Sequence, residues 1–306
     1  MDSQNYNKQR KAVVALGTFD GVHRGHQQLL HEVARQAAAR GLRSLVYTFD
    51  IPPEQWFNRR LQLLTDQAYR QQLILAHGID EVVCTQFSVE FAQISAHSFV
   101  ADVLLGQLQA QAVVCGFNYR FGHRAEGDAL LLKELGEQYG FEVQIIPPIL
   151  HQGQPISSSR IRRAVQEGEV ELAAELLGRH HAYTGEVISG KRLGRELGFP
   201  TANIEINPMI VLPKAGAYLT WCFLEDGANY PAMSSVSPNG GIESHLLGFT
   251  GDLYGRRIEV RFLQKLRDWI VFDNKQELKR QLGRDYEHAK ALLAKYRLQG
   301  YEIVLK

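Results

Sequence analysis

The sequence predicts an α/β unit followed by a β unit: a doubly wound parallel sheet in the first half, then an antiparallel barrel closed by a C-terminal helix. Three observations carry this reading. Up to about residue 180, short apolar runs of strand length alternate with stretches of helical periodicity. Beyond that point β-rich runs follow one another across Gly- and Pro-containing turns, with no helix between them. One long helical pattern, near 275–296, comes last.

In the first half the strand-like runs are 12–16, 45–49, 81–84, 112–115 and 142–147, and the helical stretches between them are 26–40, 68–77, 98–108 and 126–139. Strands alternating with helices require crossover connections and therefore a mostly parallel sheet. Ligands of such sheets bind beyond the carboxyl ends of the strands, which singles out 17–26 and 116–128. Helical segments 158–167 and 170–177 then lead into Gly178-Arg179-His180-His181. Strands at 183–189, 217–223, 244–249 and 257–263 make the barrel. The change of texture sets a boundary between domains 1–181 and 182–306.

Composition narrows the function classes. A chain of 306 residues is long enough for two cores, and 45% apolar with 22% charged residues is ordinary for a soluble globular protein. The net charge of +1 gives no general attraction to nucleic acid or to anionic membranes, so phosphate affinity has to be local and the partners are small molecules. No apolar run reaches the ~18 residues of a membrane span. Residues 1–11 are polar and lack the apolar core of a signal peptide, so a cytoplasmic location is expected. Cys84, Cys115 and Cys222 each stand in an apolar run without a CxxC partner, and are read as buried free thiols.

The segment Gly17-Thr18-Phe19-Asp20-Gly21-Val22-His23-Arg24-Gly25-His26 joins a strand to a helix. Glycines let backbone approach a ligand, and the helix start offers unpaired N–H groups to an anion. His23 and His26 are three apart and lie on one side of a first helical turn, with Gly25 leaving room between them. Two imidazole donors aimed at one phosphate would stabilise charge growing on it. Ile156-Ser157-Ser158-Ser159-Arg160-Ile161-Arg162 sets three hydroxyls and two guanidiniums at another helix start. Caps account for some of the serines; the arginines suit phosphate oxygens.

GTFDGVHRGH, GFNYRFGHRAEGD and ISSSRIR together resemble the nucleotidyltransferase half of bacterial bifunctional riboflavin kinase/FAD synthetases. The resemblance implies that His23 and His26 contact the phosphates of ATP, and that Gly17, Phe19, Asp20 and Gly25 form part of the nucleotide pocket. It also implies nucleotide contact by Asn118 and triphosphate binding by Ser158 and Arg162. In adenylyl transfer the FMN phosphate is already an anionic nucleophile, so positioning, Mg²⁺ and positive donors suffice without a general base. One departure is Asp50-Ile51-Pro52-Pro53, where the family usually has Pro-His-Pro.

The second half carries Gly190-Lys191-Arg192-Leu193-Gly194-Arg195-Glu196-Leu197-Gly198-Phe199-Pro200-Thr201-Ala202-Asn203. Such a loop suits phosphates through backbone N–H groups and basic side chains, and Thr201 suits Mg²⁺; a solvated hairpin is the other reading of its composition. LGFPTAN is similar to the signature of riboflavin kinases, as are Gly178-Arg179 and Asp252-Leu253-Tyr254-Gly255, so the resemblance spans roughly 12–295. It implies ATP or flavin binding by Gly190, Gly194, Arg195, Gly198, Pro200 and Asn203, with Thr201 holding Mg²⁺. The ribityl hydroxyl of riboflavin is a neutral nucleophile and needs a base. Glu243 occupies the position of the family's catalytic glutamate, and it alternates with apolar neighbours, as His245 does, so both face one side of a strand.

This half departs further from the family. Segment 232–241 is shorter than usual, Gly248 replaces an Asp, and Trp269 replaces an acidic residue and brings stacking area. The leading expectation is a bifunctional enzyme that makes FMN from riboflavin and FAD from FMN with ATP. The alternative is an FMN adenylyltransferase whose barrel binds flavin without phosphorylating it. Against a non-catalytic flavin-binding or RNA-contacting protein stand the near-zero net charge and two phosphate signatures.

Overall fold

The computed structural model describes residues 11–190 and 193–306, the side chains of Leu193 and Arg195 apart. The chain divides into two compact units, Met1–Ser158 and Ser159–Lys306.

In the first unit, β1 (Ala12–Leu16), β2 (Arg43–Phe49), β3 (Glu81–Thr85), β4 (Ala110–Gly116) and β5 (Glu142–Ile146) form a parallel sheet in the order β3-β2-β1-β4-β5. Both faces of β1 are buried. Ala12, Val14 and Leu16 pack on one side with Phe99, Leu104, Leu132 and Leu135, while Val13 and Ala15 pack on the other with Leu30, Val33 and Ile74. A five-residue run that is apolar throughout therefore becomes a central strand. Helices cover the two faces: α1 (Arg24–Arg40), the short α2 (Pro53–Phe57), α3 (Gln67–Ala76), α4 (Ala96–Ser98, continuing as a π-helix over Phe99–Gln107) and α5 (Ala129–Tyr139). The strand order reverses between β1 and β4. Their carboxyl ends therefore frame the switch point where open α/β sheets bind ligands.

The second unit begins with α6 (Ser158–Glu167), all but its first residue, and α7 (Val170–Leu177). Segment 159–181, grouped with the first half on sequence texture, packs against the barrel: Gly168 lies beside Tyr218 and Lys265, and α7 lies against the first and last barrel strands. Those strands are β6 (His181–Ile188), β7 (Ala202–Ile204), β8 (Gly216–Leu224), β9 (Asn229–Val236), β10 (Ile242–Leu246) and β11 (Arg257–Asp268). They close in the order β6-β7-β10-β9-β8-β11. The loop before β7 holds a short helix, α8 (Leu193–Leu197). The C-terminal helix, α9 (Lys275–Leu293), buries Ala289 and Leu292 against Leu219, Trp221 and Leu263.

The strands that sequence reading missed have physical reasons. Strand β7 is three residues long, and β9 is broken by Pro231 and carries Ser234 and Ser235, poor strand formers. The buried hydroxyl of Ser234 is satisfied by a chain inside the barrel, Thr220 Oγ1 to Ser234 Oγ at 2.7 Å and Ser234 Oγ to Ser244 Oγ at 2.6 Å. The terminal hairpin, β12 (Tyr296–Gln299) with β13 (Glu302–Leu305), was also unforeseen.

Candidate functional sites

The turn after β1 has an uncommon backbone. Phe19 and Val22 have φ of 53° and 40°, left-handed values that are unfavourable for an aromatic and especially for a β-branched residue, yet both side chains are fully buried. The turn is held in place by its neighbours. Asp20 Oδ1 accepts from the backbone N–H of Leu64 at 2.8 Å and of Thr65 at 3.3 Å, and Gly21 N–H donates to Thr65 Oγ1 at 3.2 Å. Ser158 Oγ donates to the Asp20 carbonyl at 2.9 Å.

The turn ends at His23, the N-cap of α1, whose Nδ1 accepts from the His26 backbone N–H at 3.3 Å. In the neutral ring this bond leaves the proton on Nε2. The His23 and His26 rings are stacked, with centroids 3.7 Å apart and planes 14° apart, and Phe19 packs on His26 at 5.1 Å. A Cβ at Gly25 would press on the His23 ring at 3.1 Å, and one at Gly17 would press on Phe19 at the same distance. The first turn of α1 has no acidic residue, so its N–H groups face outward unopposed by a carboxylate of that turn.

Asn118 is exposed in the turn after β4, its Oδ1 lying where a Cβ on Gly116 would sit 3.3 Å away. The unit thus gathers Gly17, Phe19, Asp20, His23, Gly25 and His26 on one turn, with Ser158 bonded to it and Asn118 at the end of the neighbouring strand. Arg162 is buried on α6, one turn after Ser158. Asp50, where the family pattern differs, closes its own loop: Oδ1 accepts from Phe87 N–H at 3.2 Å, and Pro53 opens α2.

In the second unit Thr201 Oγ1 donates to Glu243 Oε2 at 3.3 Å. The antiparallel register of β7 on β10 sets Asn203 opposite Glu243 and Ala202 opposite Ser244. Glu243 is exposed and His245 half-buried, alternating with buried Ile242, Ser244 and Leu246. His245 Nδ1 lies 2.8 Å from the Pro200 carbonyl and so donates to it, and its ring packs edge-on against Phe199 at 5.5 Å. A Cβ at Gly190 would overlap the Asn203 amide, and one at Gly194 would overlap the Phe199 carbonyl. Gly198 takes φ 90°, which only glycine adopts without strain. Lys275 Nζ bonds Glu196 Oε2 at 2.8 Å, tying α9 to α8. Gly190, Gly194, Gly198, Pro200, Thr201, Asn203 and Glu243 are thus assembled at one end of β7 and β10. Lys191, Arg192 and the Arg195 side chain lie outside the described residues.

The departures noted in the sequence find local explanations. Gly248 has φ 77°, so its turn favours glycine. Segment 232–241 supplies most of β9 and a tight turn in which Ser237 Oγ accepts from Gly241 N–H at 2.9 Å. Beside the half-exposed Trp269, Ile270, Phe272, Glu277, Arg280 and Arg284 are among the residues lining an open pocket of about 240 Å³. Of the cysteines, Cys115 and Cys222 are buried free thiols pushed up to about 12 by burial. Cys84 corrects the expectation: it is only half-buried, because β3 is an edge strand. Sequence reading also missed Thr65 and Arg70. Arg70 sits four residues before Ile74 on the buried stripe of α3, an odd place for a charge and a signal that was there to read.

Two family models define the class. One described as FAD synthetase matches residues 5–160, and one described as riboflavin kinase matches 177–293. Curated relatives described as bifunctional riboflavin kinase/FMN adenylyltransferase match nearly end to end. That of Escherichia coli K12 is 34% identical over 90% of this chain and 91% of its own, and that of Listeria monocytogenes is 34% identical over 92% and 93%. The chain belongs to the family of bifunctional riboflavin kinase/FMN adenylyltransferases. A crystal structure described as a macrolide-efflux protein from Streptococcus pneumoniae is 31% identical, with a TM-score of 0.82, covering 92% of this chain and 94% of that one. Among the described residues no helix is long and apolar enough to cross a membrane.

Proposed function

We propose that this protein phosphorylates riboflavin to FMN in its barrel, residues 182–306, and adenylylates FMN to FAD in residues 1–181, using ATP for both steps. The observation that supports it most is the pairing inside each signature loop: His23 stacked on His26, and Thr201 bonded to Glu243. An FMN adenylyltransferase with a catalytically silent barrel is the weaker reading, because the riboflavin kinase signature is assembled around a carboxylate.

In the adenylyl-transfer step an FMN phosphate oxygen attacks the α-phosphorus of ATP and pyrophosphate leaves. His23 and His26 donate to the phosphates as charge develops, and the α1 N-terminus adds its field. Gly17, Phe19, Asp20, Gly25 and Asn118 shape the nucleotide pocket. Ser158 and Arg162, a turn apart on one helix, bind triphosphate oxygens.

In the kinase step Glu243 accepts the proton of the ribityl 5′-hydroxyl as its oxygen attacks the γ-phosphorus, and ADP leaves. Gly190, Gly194 and Gly198 bring backbone close to the phosphates, with Arg195 and Pro200 completing the loop. The Thr201 hydroxyl is an oxygen donor of the kind Mg²⁺ takes and would hold the ion together with the nucleotide, leaving Glu243 to act as the base. When bound, the ion neutralises phosphate charge. The pocket of Ile270 and Phe272, with Arg280 and Arg284, suits an isoalloxazine ring with its carbonyl edge. The free cysteines suit a reducing cytoplasm. Separate measurement of ADP and pyrophosphate release from riboflavin and ATP tests the proposal, and absence of both would reject it.

A further inference from the structure

Arg70 is completely buried in the first unit. Its Nη2 donates to the carbonyl of Phe49 at 2.5 Å and of Asp50 at 3.1 Å, at the carboxyl end of β2. Its Nε and Nη1 meet no oxygen acceptor among the described residues, and the Cys84 thiol is its side-chain hydrogen-bond partner. Burial pulls this guanidinium below its ordinary pKa, opposed by Cys84, Asp20 and Asp50 around it. A buried cation so weakly matched is a poor source of stability alone, since an apolar side chain of similar volume often does as well. What the guanidinium does is grip a strand end. Five residues earlier on the same segment, buried Thr65 accepts from Gly21 N–H, and the N–H groups of Leu64 and Thr65 hold Asp20. One short stretch, residues 64–70, therefore holds both the strained turn that carries His23 and the backbone where β2 runs into the Asp50 loop.

We infer that Thr65 and Arg70 are positioning residues for the adenylyl-transfer site, a brace that sets the 17–23 turn against the end of β2. Neither residue touches substrate. They fix where the His23–His26 pair stands relative to the nucleotide pocket, and a shift of about 1 Å in such a geometry costs ~10²-fold in rate. The inference rests on the reading of this unit as the adenylyltransferase.

The experiment compares Arg70→Met, Arg70→Lys, Thr65→Val and Thr65→Ser in the full-length protein, measuring FMN adenylylation and riboflavin phosphorylation on the same preparations. The expected result is a fall in adenylylation kcat of ~10-fold or more for Arg70→Met and Thr65→Val, with KM for ATP changed far less. Kinase kcat stays at the wild-type value. Arg70→Lys, which keeps the charge and one carbonyl bond, and Thr65→Ser, which keeps the hydroxyl, recover much of the loss. Unchanged adenylylation in Arg70→Met and Thr65→Val overturns the inference. So does an equal loss of both activities with a lowered melting temperature and no recovery in the conservative variants, because that marks a purely structural role. Wild-type protein that makes no FAD from FMN and ATP is a different outcome, and it sinks the functional reading beneath.

Discussion

Thr201 donates its hydroxyl to Glu243 across 3.3 Å, joining the end of the LGFPTAN loop to a barrel strand. Glu243→Gln keeps that contact and removes the base. Riboflavin phosphorylation should fall ~10²-fold or more, the scale of a lost general base, while FMN adenylylation is unchanged. ADP release with riboflavin, set beside pyrophosphate release with FMN, gives the comparison. Thr201→Ala should have the same selectivity and respond to raised Mg²⁺.

His26→Ala removes one of the two stacked rings without removing the helix cap, which belongs to His23. Adenylyl transfer should slow ~10²-fold, as loss of a preorganised donor does, with the kinase intact. His23→Ala should slow it as much and also cost ~1 kcal/mol of stability as the cap is lost. Wild-type FAD synthesis by His26→Ala would remove the imidazoles from the mechanism.

A methyl group at Gly190 has nowhere to go but into the Asn203 amide. Gly190→Ala should therefore depress phosphorylation of riboflavin by ~10-fold or more through displacement of Asn203, leaving adenylylation from supplied FMN untouched. Initial rates of the two reactions decide it, and an unaffected kinase would mean that the loop carries no constraint on catalysis.

His181 supplies a pH signature. It is almost fully buried, with Nε2 facing the Val211 carbonyl at 3.3 Å, and burial holds it down to about 4 from 6.5. The unfolded chain therefore takes its proton first as pH falls. Stability from the neutral ring is complete above the unfolded value of 6.5 and is lost between there and about 4, by about 3 kcal/mol in all. His180 is shifted down as well, chiefly by burial, and adds to the loss on the acid side. Glu32, lowered to about 2 chiefly by its bond to Arg35, acts only below its ordinary 4.5. His181→Gln should flatten the dependence of melting temperature on pH between 6.5 and 4.5, and an unchanged slope would refute the assignment.

Much of this was legible before any coordinates. The five sheet strands are short apolar runs bounded by turn residues, and in the central three, β1, β2 and β4, burial on both faces leaves little room for another pattern. The glycines and histidines of 17–26 forecast a strand-to-helix turn, and the alternation around Glu243 forecast a shared face with His245. What sequence could not supply was support from a distance. The brace of Thr65 and Arg70 reaches Gly21 and Phe49 across 44 and 21 positions of the chain, and no local periodicity encodes such a contact. The short strand Ala202–Ile204 is equally silent, since only its pairing with β6 and β10 makes it a strand. The packing of 159–181 on the barrel was hidden because its helices read like those of the α/β half.

FMN is the product of the proposed kinase step and the substrate of the proposed adenylyl-transfer step. Chromatography of a time course with riboflavin, ATP and Mg²⁺ tests this most directly. FMN should accumulate first and FAD should follow at its expense. FAD from supplied FMN, with riboflavin left unconverted, would contradict a working kinase, and FMN that never becomes FAD would contradict the adenylyltransferase.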